Sequence, residues 1–241
     1  MTALIRIGRR VKSLFFKLKL HVVLEPLVEV LIKLAYLSKL SRWCSQHTNL
    51  PFQDSANPKF NYAKRYELYE FVLESENLGA TIDYLEFGVG TGKSFKWWLE
   101  HNTHPDSRFV GFDTFIGLPE GWGSLKQGTF STDGEVPATN DSRAMFKAGL
   151  FQETLRPFLR EFGAQKRKVI HLDADLYSST LFVLTSLAHL LQEGDILLFD
   201  EFGVPTHEFK AFTEFVTSYG VQYEVLGAVN NYLQVAIKVR G

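Results

Sequence analysis

Residues 83–92, Asp-Tyr-Leu-Glu-Phe-Gly-Val-Gly-Thr-Gly, constrain this chain more than any other segment. An apolar run leads into Glu86 and then into three alternating glycines, Gly88, Gly90 and Gly92. A backbone that turns sharply and lets a ligand come within contact distance has no room for a Cβ. The stretch from about Ser94 to His101 reads as a helix, which aims unpaired N–H groups and a positive dipole end at the turn. Strand, tight turn and helix together form a cradle for a nucleotide-like cofactor.

Three spacing rules compete for this loop. A phosphate-binding P-loop, Gly-x4-Gly-Lys-Ser/Thr, needs glycine at 87, where the chain has Phe87. A dinucleotide fingerprint would place its third glycine on Lys93. An acid two residues before Gly-x-Gly-x-Gly fits Glu86 to Gly92 without adjustment, and this resembles the first motif of class I methyltransferases that bind S-adenosylmethionine. A carboxylate suits a cationic sulfonium and disfavours a triphosphate. Glu86, Gly88, Gly90, Gly92 and Ser94 are therefore candidate cofactor contacts, against the alternative of a glycine-rich turn with no ligand. A second acid, Asp113, closes the apolar run Ser107–Asp113, 21 residues beyond Gly92. At a neighbouring strand end it can accept both ribose hydroxyls, each charged hydrogen bond contributing about 1.5–3 kcal/mol. Taken singly, such an aspartate is more often a turn or cap residue.

From residue 62 onward, helical and extended patterns alternate. Strands are predicted near 83–88, 108–113, 145–149 (weak), 168–173, 195–200, 222–227 and 232–238. Helices are predicted over 62–76, with Tyr62, Tyr66 and Tyr69 on one side, and near 94–101, 153–162, 178–192 and 206–218. This alternation predicts an α/β fold, a mainly parallel sheet with helices on both faces. The last two runs predict a terminal antiparallel hairpin, the ending expected of a class I methyltransferase sheet. The expected domains are a basic helical extension over 1–45, a linker over 46–61 containing Pro51 and Pro58, and a catalytic domain over 62–241.

With 241 residues and 45% hydrophobic content, the chain can bury one substantial core. A single cysteine, Cys44, excludes an internal disulfide and predicts a reducing compartment. Residues 1–45 carry nine Lys/Arg against two Glu, whereas the remainder holds 17 basic and 25 acidic residues. So acidic a body repels phosphates and argues against nucleic acid as substrate. Leu4, Ile7, Val11, Leu14, Phe15, Leu18 and Val22 recur at helical spacing, opposite Arg6, Arg9, Arg10, Lys12, Lys17 and Lys19. Such a helix suits an anionic membrane surface, or packs on the body or a second subunit. The run 22–40 is interrupted by Glu25, Pro26, Glu29 and Lys33 and is not a membrane span. No h-region of a signal peptide is visible. The expectation is a cytoplasmic protein, with peripheral contact at the inner membrane surface or self-association through residues 1–45 left open.

Two further strands end in acids: Lys168-Val-Ile-His-Leu-Asp173-Ala-Asp175 and Asp195-Ile-Leu-Leu-Phe-Asp200-Glu201. In a parallel sheet their carboxyl ends open into one crevice. Four carboxylates there repel one another unless something cationic lies between them, and a hard divalent ion, Mg²⁺ above all, resolves the conflict. The alternative, that Asp173 or Asp175 caps the next helix, is not required, because Ser178, Ser179 and Thr180 stand ready to cap it. His171 is expected to be a hydrogen-bonded core residue, Trp97 and Trp98 packing residues, Tyr177 a neighbour of the crevice, and His207 a weakly supported base.

Glu86–Gly92, Phe112-Asp-Thr-Phe-Ile-Gly-Leu-Pro-Glu-Gly-Trp122, Gly149–Leu155, His171–Thr180 and Gly194–Glu201 follow one another in an order that resembles the macrocin O-methyltransferases. The resemblance covers about residues 60–220. It implies methylation of a sugar hydroxyl with S-adenosylmethionine and a divalent metal. It implies metal ligation by Asp173, Asp200 and Glu201, where the family commonly has two aspartates in place of Asp200-Glu201. It also implies a general-base role for Asp175, a cofactor- and substrate-bordering loop from Thr114 to Trp122, and a position near adenine for Gly149. A small-molecule or glycan hydroxyl is the expected acceptor. A metal-dependent enzyme for catechol-like phenols, a non-catalytic cofactor-binding protein and a P-loop phosphotransferase remain the alternatives.

Overall fold

In the computed structural model, which describes residues 3–54 and 59–241, the sheet is built around β2 (Ile82–Phe87). All six residues of this strand are buried, so both of its faces need a cover. It pairs in parallel with β3 (Arg108–Asp113) and β5 (Arg167–Leu172). β4 (Ala144–Ala148) extends the sheet beyond β3, and β6 (Ile196–Phe199) extends it beyond β5, both in parallel. β8 (Gln234–Arg240) runs antiparallel between β6 and β7 (Gln222–Val229). A two-residue strand, β1 (Phe52–Gln53), pairs with β7 and completes the order β1-β7-β8-β6-β5-β2-β3-β4. The mainly parallel sheet and terminal antiparallel hairpin are as the sequence predicts. The weak strand near 145–149 is β4, and it is only partly covered because it forms the sheet edge.

Side chains alternate between two covers. Leu85, Phe87, Ile170, Leu172, Leu197 and Phe199 pack against α5 (Phe151–Glu161), α6 (Tyr177–Leu187) and α7 (Glu208–Tyr219). Tyr84, Phe109, Val169 and Leu198 pack against α3 (Lys64–Ser75) and α4 (Lys93–His101). Trp98 is fully buried on that side, and Trp97 packs beside it, as expected of both. The helix predicted over 178–192 stops at Leu187 and tightens into a 3₁₀ turn, Ala188–Leu190. Its first turn has no side-chain cap. Ser178 and Thr180 do not cap it, because Leu176 holds the cap position and both lie inside the helix, where Ser178 Oγ donates to Glu120 Oε1 at 2.7 Å.

The N-terminal segment forms two helices, α1 (Ala3–Lys17) and α2 (His21–Gln46). The apolar periodicity that runs on to Val22 is broken at Lys19, whose φ is 49°. The N–H of Lys19 bonds to Phe16 O at 3.2 Å and that of Leu20 to Phe15 O at 3.1 Å, the pattern of a Schellman stop. α2 ends inside the body: Leu40 and Trp43 are buried, and the Trp43 indole donates to Tyr223 OH at 2.9 Å. The segment expected as a linker holds β1, because the backbone of 52–53 has the free edge of β7 to pair with. Residues 55–58 of that segment, Pro58 among them, lie outside the described residues.

Gly88 follows β2 where the chain crosses the end of β5. A Cβ there would stand 1.8 Å from the Asp173 carbonyl oxygen, and its φ is +92°. Gly88→Ala should therefore lower the denaturation midpoint steeply, by more than the roughly 1 kcal/mol that left-handed backbone alone costs. A midpoint unchanged from the parent would contradict this close approach.

Candidate active site

The register of the sheet aligns the chemistry. Phe87 is paired with Leu172 and Leu172 with Phe199, so the residues that follow, Gly88, Asp173 and Asp200, emerge side by side. Backbone bonds carry the alignment one step past the strands: Asp173 N–H to Phe87 O at 2.9 Å, and Asp200 N–H to Leu172 O at 3.0 Å. Gly88 and Asp173 open onto a cavity of about 1050 Å³, whereas Asp200, fully buried, is not part of its lining. Gly88, Gly90, Ser94, Asp113 and Thr114 line it on one side; Asp173, Asp175 and Glu201 line it on another.

Within the glycine turn the three glycines have different tasks. Gly90 has φ +52° and nothing within 4 Å of where its Cβ would be, so its bare backbone faces the cavity. Gly92 instead makes room for Pro137, whose carbons would lie 2.9 Å from an added Cβ. Glu86 does not reach the cavity, which corrects its place among the cofactor contacts. It is fully buried, accepting bonds from Ser94 Oγ at 2.9 Å and from Tyr84 OH, and it braces the turn from behind. Ser94 borders the cavity with its hydroxyl committed to that brace. Asp113 ties loop to loop: Oδ2 accepts the N–H groups of Val89 and Gly90, both at 2.7 Å, and Oδ1 accepts that of Phe115 at 2.8 Å. Its carboxylate still faces the cavity, but most of its accepting capacity holds the turn. The Thr114 hydroxyl donates to Gly117 O at 2.8 Å. Gly149 is not part of the lining. Its N–H bonds to Asp113 O at 2.9 Å, and the next four residues, 150–153, meet the cavity instead.

The acidic cluster forms, together with a cation the sequence reasoning missed. Ligand atoms of His171, Asp173 and Asp200 lie within 4.8 Å of one another. His171 is committed, as expected of a core residue: Nε2 is 3.1 Å from Tyr69 OH and Nδ1 2.8 Å from Tyr84 OH. Asp200, fully buried, accepts Tyr62 OH and lies 3.4 Å from the Arg65 guanidinium. Arg65 is itself buried, 4.0 Å above the Tyr62 ring, with Tyr66 OH 3.1 Å from one nitrogen. The signal was the three tyrosines expected on one side of the 62–76 helix, of which Tyr62 precedes α3, because an arginine among aromatic rings can lose water and keep its charge. Glu201 lines the cavity but stands outside the close trio.

One guanidinium does not balance this site. Burial, then Asp200 and Asp175, push the Asp173 carboxyl well above its ordinary range. Burial, Asp200 and Asp113 push Asp175 to about 7, and burial, Asp200 and Asp175 push Glu201 to about 8. Glu208, buried at the start of α7, is pushed up by burial and by Glu201, although one oxygen accepts the Glu201 N–H at 2.9 Å. Asp175 sits in left-handed backbone at φ 57°, an unusual conformation held at the cavity wall. Among the described residues the carboxylates of Asp173, Asp175 and Glu201 have no hydrogen-bond partner, which leaves their oxygens open to a ligand. Uncommitted carboxylates crowded to the point of holding protons are a donor set that fits a hard divalent cation.

Tyr177 does not border the crevice; its hydroxyl donates to Glu214 Oε2 at 2.6 Å on α7. His207 caps α7 and accepts the Tyr177 N–H at 3.3 Å through Nδ1. Burial lowers its pKa, with Glu120 opposing and Lys210 and Lys33 reinforcing the shift, but it lies outside the cavity lining. The wall facing the acids comes from the 114–132 loop, with Leu118, Trp122 and Phe130 supplying apolar surface.

Residues 85–202 match the family model described as a methyltransferase domain. No curated protein matches the chain. Among solved structures, the chain is similar to CalS11, a calicheamicin methyltransferase, with a TM-score of 0.56 and 23% identity over 73% of this chain and 77% of that one. It is similar to the O-methyltransferase NovP, with a TM-score of 0.54 and 19% identity over 75% and 79% of the two chains. It is also similar to an O-methyltransferase from Bacillus cereus in complex with SAH, with a TM-score of 0.53 and 18% identity over 86% and 91%. The chain has the class I methyltransferase fold, and its residues 85–202 match a methyltransferase domain.

Proposed function

We propose that this enzyme transfers a methyl group from S-adenosylmethionine to a hydroxyl of a sugar or glycoside, with Mg²⁺ or another divalent cation at the acidic cluster. One observation carries the reading: a single cavity runs from the bare backbone of Gly90 to the uncommitted carboxylates of Asp173, Asp175 and Glu201. Its volume of about 1050 Å³ leaves space for a donor and an acceptor together. The motif order resembling macrocin O-methyltransferases supports a sugar acceptor. So does the likeness in fold to a protein described as TDP-rhamnose 3′-O-methyltransferase, with a TM-score of 0.53 and 21% identity.

The chemistry follows from charge. The sulfonium methyl is already activated, so the protein must align it with the attacking oxygen and exclude water. The turn at Gly88–Gly90 accepts the donor against main chain, and Asp113, which holds that turn, faces its ribose. Asp175 takes the proton of the acceptor hydroxyl as the C–O bond forms and the C–S bond breaks, leaving a neutral thioether. A carboxyl that titrates at about 7 suits that task at neutral pH. A bound dication, held by Asp173, Asp200 and Glu201, would stabilise negative charge developing on the acceptor oxygen. Arg65 and Tyr62 hold Asp200 in place from the far side.

Asp175→Asn should lower kcat by about 10²–10⁴-fold while calorimetric affinity for S-adenosylmethionine stays unchanged. Unaltered turnover would remove the base from the mechanism. Assays with labelled donor should put methyl groups into nucleotide sugars or glycosides and stop in excess EDTA. Transfer to catechols alone would favour the phenol-acting alternative. Gly90→Ala should weaken donor binding at least tenfold while stability falls by only about 1 kcal/mol, since its Cβ meets ligand and no protein atom. Full donor affinity would exclude this cradle.

Stability should carry the same signature. Acids whose folded pKa is raised bind more protons folded than unfolded, so stability falls as pH rises from about 4 toward about 8. Mg²⁺ should restore the melting temperature near the upper end of that window and have little effect near its lower end. A melting temperature indifferent to both pH and Mg²⁺ would contradict the acidic cluster as described.

A further inference from the structure

α1 buries no residue, and its two kinds of side chain are separated: Leu4, Ile7, Val11 and Leu14 on one side, Arg6, Arg9, Arg10 and Lys17 on the other. α2 is more informative because it faces the wrong way for a helix lying on a protein. Glu25, Glu29, Lys33, Tyr36, Leu40 and Trp43 recur every three or four residues and define one stripe. The C-terminal part of that stripe is turned to the body: Leu40 and Trp43 are buried, Tyr36 OH donates to Glu214 Oε1 at 2.8 Å, and Lys33 acts electrostatically on His207, while Glu25 and Glu29 are exposed. The opposite stripe of Val23, Leu27, Val30, Leu31 and Leu34 is therefore turned outward, each more than half exposed. An apolar stripe this long, on a helix anchored to the body through its opposite side at Tyr36, Leu40 and Trp43, marks an interaction surface.

We propose that α1 and the first two-thirds of α2 form a docking surface for an anionic lipid bilayer, lying in its interface. Charge selects this partner over a second copy. From Arg6 to Lys19 there are six cations and no acid, so a symmetric pair would set cation against cation. A bilayer of anionic lipids accepts the apolar side chains and neutralises the flanking Arg and Lys, whose long stems reach up to the headgroups. Residues 46–241, with 25 acidic and 17 basic residues, are repelled from such a surface, so binding depends on these two helices. No helix among the described residues is long and apolar enough to cross a membrane, which fits a surface-lying mode.

Flotation of the full-length protein with phosphatidylcholine vesicles, with and without phosphatidylglycerol, tests this without any methyl acceptor. Failure here would leave the enzymatic reading standing. The protein should float with the anionic vesicles, and much less with the neutral ones or at high salt. Replacing Arg9, Arg10 and Lys12 with Ala should lower vesicle affinity by about 100-fold, roughly fivefold for each charge. Replacing Leu27, Leu31 and Leu34 with Ser should also abolish flotation. In both variants affinity for S-adenosylmethionine should be unchanged, because neither helix lines the cavity. Absence of flotation with anionic vesicles, or flotation unaffected by both triple variants, would overturn the proposal. So would a dimer that the leucine changes dissociate while vesicle binding is absent.

Discussion

Everything chemical in this molecule depends on three parallel strands ending at one level. Because β2, β5 and β6 are held in register, Gly88, Asp173 and Asp200 leave the sheet together. The glycine turn and the carboxylates of Asp173, Asp175 and Glu201 thus become walls of the same cavity, with Asp200 buried and outside its lining. The register also creates a problem, because Asp173, Asp175, Asp200, Glu201 and Glu208 are brought near one another in poorly solvated surroundings. The protein answers it in part with Arg65, buried among Tyr62 and Tyr66 and aimed at Asp200. The remaining negative charge raises the Asp175 carboxyl to about 7 and is the basis for the proposed cation.

Much of this was legible in the sequence where the signal was local. Apolar runs leading into an acid mark β2, β3, β5 and β6, and the Gly88–Gly92 spacing marks the turn. Roles that depend on what a side chain meets were not legible. Glu86 was expected at the cofactor, yet Tyr84 and Ser94 consume it behind the turn. Gly92 looked like a ligand-facing glycine, yet its space is taken by Pro137, 45 residues along the chain. Arg65 lies in a helix 135 residues from Asp200, and no spacing rule connects the two. The β1 pairing escaped for a similar reason, since a two-residue strand has no period and exists only because an edge of β7 is free.

The N-terminal helices show the same division. Their amphipathicity could be read from the residues, but which side faces the body could not. Trp43 and Tyr36 fix the polar stripe of α2 inward by anchoring to Tyr223 and Glu214, and so they leave the leucine stripe outward. Through Tyr36 and Trp43, α2 is joined to the body by packing and hydrogen bonds close to Lys210.

The central claim is that a dication sits beside the bound methyl donor at the ends of β5 and β6. Substituting paramagnetic Mn²⁺ for Mg²⁺ and observing the proton resonance of the donor's S-methyl group tests it directly. Strong broadening of the protein-bound methyl signal, absent in Asp173→Asn at equal donor occupancy, is the predicted result. A methyl resonance that stays sharp with donor bound and Mn²⁺ present would contradict the account.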